Sequence, residues 1–469
     1  MPDQAIALNR FGLGVRPDEA PLAAPKAWLL SQFDHYEPLP AAWAGRQASR
    51  ALVLSFAQGR AELQRATDPA ARMAARQKLR MQARAVYVSE VNARAESALT
   101  TPAPFVERLV HFWSNHFAVS ADKLAAMPFA GSFEAEAIRP NVLGRFSDML
   151  IAVEQHPAMQ LFLDQVASIG PHSRLASIAA ERNPDRKLGL NENLAREIME
   201  LHTLGVRSRY SQVDVVQLAQ AMTGWSIDGL SREAGAMAAA DTDGSVAADT
   251  GGFIFRPALH EPGPRVIMGV AYDQSGEGQA RAALVDLAAS PATAQHIATK
   301  LARHFVADEP PPALVARLAA AFLNSGGDLP TLYRTLIDAA EAWTEPAAKF
   351  KTPWEWLISS LRGMGLRDVA GLQVLPMTNQ LGQPVWRPGS PAGWDDAAAS
   401  WAAPDALVRR VEMAQRLANL VGDRIDPRTL GPRLLPAVLT QATLDAVGRA
   451  ESAATGLALL LVSPEFQRR

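Results

Sequence analysis

Two segments carry residue types that can do chemistry. One is His111-Phe-Trp-Ser-Asn-His-Phe117, the other Asn191-Glu-Asn-Leu-Ala-Arg-Glu-Ile-Met-Glu-Leu-His202. Imidazole titrates near neutrality, exchanges protons and binds metals, so a histidine beside carboxylates is raw material for acid–base or metal chemistry. At helical spacing Phe105, Leu109, Phe112 and His116 share a stripe, which turns His116 inward. His111 and Asn115, four apart, share another face. In the second segment Glu192, Arg196 and Glu200 form a ladder of alternating sign, and Asn193, Glu197 and Glu200 occupy the neighbouring face. His202 groups with Leu194, Ile198 and Leu201 on the apolar side, near a helix stop at Gly205 where the helix dipole favours a charged imidazole. His116 and His202 are therefore candidate acid–base groups or metal ligands, with Glu197, Glu200 and Asp164 as partners or orienters. The competing reading is that both histidines complete the core, each satisfied by a carbonyl or carboxylate.

No compact metal motif is present. His111 and His116 lie about 140° apart on a helix, and neither His-Glu-x-x-His nor paired Glu-x-x-His occurs. A divalent metal would have to be gathered from several helices. The chain contains no cysteine, which excludes disulfides, thiolate ligands, iron–sulfur clusters and a cysteine nucleophile. Two other places offer polar chemistry. The turn His260-Glu-Pro-Gly-Pro-Arg265 is either a rigid platform for an imidazole and a guanidinium or, more plainly, a structural turn. The loop from Gly382 to Asp396 sets Trp386 and Trp394 beside carboxylates, with Trp401 beyond, a surface suited to sugar rings or peptide prolines. A loop merely pinned by its tryptophans is the plainer alternative.

The elements that must position these groups are helical. In 469 residues, Val/Ile/Thr-rich alternating runs are almost absent while Ala, Leu, Arg and Glu abound. The periodicity predicts helices over 26–34, 70–98, 104–119, 134–154, 157–167, 191–204, 211–225, 278–288, 291–307, 311–323, 329–342, 353–364 and through 404–469. The expected fold is an all-α, multi-helical bundle forming one large domain over 1–469. A small β hairpin near 253–268 and a flexible Gly/Ala/Asp/Ser/Thr insertion at about 228–252 are its only interruptions. The long 70–98 helix is rich in Arg, read as a contact surface or as a solvated face. A net charge of −2 gives no global pull toward nucleic acid, and no apolar run is long enough to span a membrane. The N-terminal stretch lacks a basic region followed by a long apolar run. The expectation is a cytoplasmic protein, or one exported with a signal-bearing partner.

Several stretches together resemble one family. They are Asn9-Arg-Phe-Gly-Leu-Gly14, Phe112-Trp-Ser-Asn-His-Phe117, Asn191 to Gly205, Tyr210 to Asp214 and Leu218 to Trp225. His260-Glu-Pro-Gly-Pro264, Lys300 to Pro310, Leu381-Gly-Gln-Pro384, Gly393-Trp394 and Ser463-Pro-Glu-Phe466 complete the set. On these residues the chain is similar to the bacterial domain of unknown function 1800 family. The resemblance implies no activity and transfers no catalytic residue. It does imply a partner, because members are commonly encoded beside the domain of unknown function 1501 family, which resembles alkaline phosphatases and sulfatases. Two functions follow as expectations. One is an enzyme, hydrolytic or metal-dependent, with a buried His/carboxylate site between helices 105–117 and 191–205. The other is a non-catalytic accessory protein for that partner or for a polysaccharide.

Overall fold

A computed structural model describes residues 2–182, 188–206, 208–230, 251–345 and 347–469. Among the described residues helix covers 62% and strands are confined to two antiparallel pairs, so the fold is all-α. Most of the predicted insertion, residues 231–250, lies outside the described residues. Among the described residues no helix is long and apolar enough to cross a membrane.

Local chemistry sets where the helices begin. Asp68 caps Pro69–Thr100 by accepting from the Ala71 amide at 2.9 Å. Ser290 caps Pro291–Phe305, and Thr352 with Glu355 forms a capping box on Pro353–Gly363. These three helices and Pro104–His116 each carry proline in the first turn, where a missing N–H costs nothing. Pro104–His116 is among the most deeply buried of them, as is Pro353–Gly363, every residue of which is buried. All residues of Pro104–His116 except His111 and Asn115 are buried, and the apolar cluster around it draws on residues from Ile6 to Phe466. Phe105 packs against Phe11, Phe33, Phe305 and Tyr333, and the Trp113 indole donates to the Tyr333 hydroxyl at 2.6 Å.

Three helical segments widen into π turns: Ile6–Phe11, Glu134–Ile138 and Ile198–His202. The predicted helix 134–154 is accordingly broken. The π turn leads into a short 3-10 turn, and a separate helix runs Phe146–Gln155. Helix 191–204 becomes Asn193–Glu197 followed by the π turn that ends on His202.

The β pairing also differs from the expected single hairpin. Strand β1 (Trp225–Ile227) pairs with β2 (Phe253–Phe255), Trp225 facing Phe255. Strand β3 (Arg265–Ile267) pairs with β4 (Val270–Tyr272). The second pair closes through Met268 and Gly269, both at positive φ (50° and 82°), the backbone of a two-residue hairpin turn whose twist matches its strands. The segments on either side of His260 therefore belong to different sheets.

Candidate functional site

The 104–116 helix has two polar faces, and they lead to different places. The face carrying His111, Ser114 and Asn115 borders a cavity of about 80 Å³. Its other walls come from Arg94 on the long helix, His304 near the end of Pro291–Phe305, Thr352, Trp354 and Glu355 at the capped start of Pro353–Gly363, and the loop residues Trp386, Trp394 and Asp396.

Arg94 is built in as a cation with an unused end. Its Nε donates to Glu134 Oε2 at 2.8 Å, and its guanidinium lies 4.6 Å from the Trp354 ring centre and 5.4 Å from that of Trp386. Its two terminal nitrogens make no hydrogen bond among the described residues. Arg108 donates through Nε to the Gly12 carbonyl at 2.7 Å and through Nη1 to Glu355, leaving Nη2 without an acceptor among the described residues. Two forked guanidinium groups thus line one small cavity, the geometry that favours carboxylate or phosphate oxygens.

Behind them the carboxylates are neutralised in pairs. Glu107 takes a bidentate contact from Arg139, which also reaches Glu134 Oε1 at 3.4 Å. Glu355 takes Arg108, Arg469 Nε at 2.9 Å and the Thr352 amide at 2.9 Å. Burial pushes these acids up, but the guanidinium groups override it and hold Glu107, Glu134 and Glu355 below the ordinary carboxylate range. All three therefore stay charged at neutral pH.

Two histidines face this charged lining in different states. The Trp354 indole N–H donates to His111 Nδ1 at 3.3 Å, so the His111 proton sits on Nε2, 3.6 Å from Glu107 Oε1. Burial, then the Arg94 charge, pulls His111 down to about 4 despite that carboxylate. His304 has the opposite tautomer. Its Nδ1 lies 2.7 Å from Asp396 Oδ2 and must donate to that carboxylate, while the buried Nε2 has no hydrogen-bond partner among the described residues. Burial lowers the His304 pKa, with Asp396 opposing. Burial would raise Asp396, but His304, Lys349 and Arg469 hold it well below the ordinary range. The result is a neutral imidazole, fixed by an ionised aspartate, whose Nε2 is buried and unpartnered among the described residues, on a residue that lines the same cavity as two arginines.

The tryptophan loop closes the site. Gly393, at φ +82°, lies so close to Asn115 that a Cβ there would overlap the Asn115 carbonyl oxygen. The Asn115 side chain clasps the Trp394 backbone, donating to its carbonyl at 2.9 Å and accepting from its amide at 2.7 Å. Trp386 adopts φ +49°, a conformation that costs a non-glycine residue about 1–3 kcal/mol and persists only where surroundings over-determine it. Its carbonyl accepts from the Ala121 amide at 2.8 Å, and its indole N–H is shared between Glu134 and Ser114. At 6% exposure Trp386 offers its face to Arg94 rather than to solvent.

The second polar face carries the histidine chosen on phase, and the structure brings it to the other one. The His116 and His202 rings are 6.4 Å apart, and His116 Nε2 donates to the His202 carbonyl at 3.1 Å. His202 Nδ1 contacts Glu154 Oε1 at 2.8 Å, so Glu154, not Glu197 or Glu200, is its carboxylate. His116 and His202 are 1% and 0% exposed, and neither lines the cavity described above. Among the described residues His116 Nδ1, His202 Nε2 and Glu154 Oε2 have no partners. Burial, with Lys300 and His296 adding to it, holds His116 well below its ordinary value. Glu197 is half-buried and raised by that burial, and Glu200 is half-buried. Asp164 turns outward at φ 59° to pair with Lys123 at 2.7 Å. His260 donates to the Thr223 carbonyl at 2.9 Å, and Arg265 donates to Gln220 and to the Glu261 carbonyl. These two fix the turn beside helix Gln212–Ala221 and stand apart from the cavity. Among the described residues no group of three or more His, Asp or Glu side chains could hold a metal ion.

Sequence reasoning saw the His111/Asn115 face and the Asp396 loop without joining them, and it did not single out Arg94, Arg108, His304 or Glu154. Arg94 and Glu134 sit 40 residues apart and His304 and Asp396 sit 92 apart, so no short spacing could signal either pair.

The family described as protein of unknown function (DUF1800) matches residues 6–468, and the chain belongs to it. No curated protein and no solved structure matches the chain.

Proposed function

We propose that this DUF1800 chain is an enzyme that performs proton transfer on a small anionic substrate, or on the anionic end of a larger one, in the cavity between His111, His304 and the Trp386–Trp394 loop. The observation that carries the reading is the His304–Asp396 pair. It leaves a buried Nε2 without a partner among the described residues, on a residue that lines the cavity together with Arg94 and Arg108. In this reading the arginines hold the substrate's carboxylate or phosphate. His304 takes a proton at Nε2 from a substrate carbon or oxygen, or from a water that then attacks. The imidazolium so formed is stabilised by Asp396, and the negative charge left on the substrate by the guanidinium groups. Later the same proton returns to the product or leaving group.

Size supports a small occupant. About 80 Å³ is well below the roughly 300–1,000 Å³ of pockets that enclose a drug-sized ligand, so a whole sugar ring is a poor fit here.

The test is turnover. Wild type, His304→Gln and Asp396→Asn are each incubated with a protein-free extract of bacterial small molecules, and the changes are followed by mass spectrometry. At least one anionic compound is expected to be consumed by wild type and about 10²–10⁴-fold more slowly by His304→Gln, the usual contribution of a general base. No consumption by wild type, or equal consumption by folded His304→Gln, overturns the reading.

A further inference from the structure

Far from the cavity, the first half of helix Pro69–Thr100 packs along Ser49–Arg65 as a helical hairpin, with Leu79 against Gly59. Residues 60–85 hold seven Lys or Arg and two acids, although the whole chain carries a net charge of −2. Both acids are spent locally: Asp68 caps its helix, and Glu62 pairs with Lys78 at 2.9 Å. Arg72, Arg76, Arg80 and Arg84 recur at every fourth residue, and all four are exposed. None of them, nor Arg65 at the hairpin's turn, makes an ion pair among the described residues. Met73 and Met81 border the same row and are 69% and 62% exposed.

Like charges at i and i+4 repel and destabilise a helix. A run of four such arginines with no interleaved acid is therefore a cost that the isolated chain does not recover. Arginine and methionine are enriched at protein–protein contacts, where lysine is depleted, and methionine adapts to irregular apolar surfaces. Four residues of helix rise about 6 Å, close to the spacing of carboxylates at every fourth position of a facing helix.

We propose that the arginine row of this hairpin docks an acidic helix of a partner protein, with Met73 and Met81 seated against its apolar flank. The row's paired methionines and regular spacing favour a protein face over a lipid or nucleic-acid surface.

Fluorescence anisotropy with defined probes tests this. The probes are a synthetic helical peptide with glutamate at every fourth position, an isomer with the same glutamates irregularly placed, phosphatidylserine vesicles and double-stranded DNA. The full chain is expected to bind the regular peptide at least tenfold more tightly than its isomer and in preference to vesicles or DNA. Arg76→Glu/Arg80→Glu should lose at least tenfold in affinity. Its melting temperature should hold or rise, because the change creates attractive pairs with Arg72 and Arg84. Equal binding of the two peptides, preference for vesicles or DNA, binding of no probe, or undiminished binding by the variant overturns the proposal. So does a dimer of this chain that the same variant dissociates.

Discussion

Replacing Gly393 by alanine should release the loop that completes the cavity, and the size of the effect follows from geometry. At φ +82° an alanine is strained by roughly 1–2 kcal/mol. Its Cβ would overlap the Asn115 carbonyl oxygen and lie 2.8 Å from Asn115 Oδ1, and both are held by a helix with no room to retreat. Relief requires the loop to lift, which breaks the two Asn115–Trp394 hydrogen bonds at about 0.5–1.5 kcal/mol each. Together the loop's closed state loses about 2–5 kcal/mol. Asp396 lies three residues on, so lifting the loop also takes the carboxylate from His304. Amide hydrogen exchange reads this directly, because the Trp394 N–H is the donor to Asn115 Oδ1. Its protection should fall by about 30-fold to several thousandfold while amides of the 353–363 helix keep theirs. Protection of Trp394 unchanged within a factor of three would show that the close approach of Gly393 does not hold the loop and would refute the reasoning.

Other expectations concern the buried histidines. His202→Ala removes the partner of Glu154 Oε1 inside the core and should destabilise the fold by about 1–3 kcal/mol in urea titration. Turnover measured where the variant is folded should stay within threefold of wild type; a larger loss would move the site to that cluster. Stability should also depend on pH in a defined direction. Burial holds both His111 and His296 at about 4 in the folded protein, against about 6.5 when unfolded. Between those values the unfolded chain binds more protons, so this stability is fully present above pH 6.5 and is lost as pH falls toward 4. His111 alone accounts for about 3 kcal/mol of the difference. Urea titrations at pH 5 and pH 7 that give equal stability would contradict it.

Much of the fold is legible in the residues because helix phase and caps are local signals. Asp68-Pro69 and Thr352-Pro353-x-Glu355 mark helix starts, and the apolar stripe of Pro104–His116 is visible as written. Phase also turned His116 and His202 inward, and they meet. Phase cannot reveal which inward group is merely satisfied and which borders a cavity. That depends on Glu154, His304 and Asp396, which arrive from distant elements. The π turns at Glu134 and His202 left no mark either, since one extra residue per turn changes no composition. The strand pairing misled because Phe253–Phe255 has an apolar face that either neighbour could cover. The choice fell to Trp225 once Met268-Gly269 had closed its own tight hairpin. The tryptophan loop, from its residues alone, suits either an aromatic binding surface or a loop pinned by its tryptophans. Its positive-φ Trp386, held by Glu134 and Ser114, is buried as an inner wall, a placement that no spacing in the residues signals.

The central claim is that Asp396 holds His304 neutral with a bare Nε2 beside an anion site. Nitrogen-15 spectroscopy of the histidine rings tests it in one titration, at pH 7 with increasing phosphate and with His304→Gln to assign the signal. The account predicts a His304 ring protonated on Nδ1 and unprotonated on Nε2, whose Nε2 resonance moves as phosphate saturates, with the shift abolished by Arg94→Ala. A His304 ring protonated on Nε2, or an Nε2 resonance indifferent to phosphate, would contradict it.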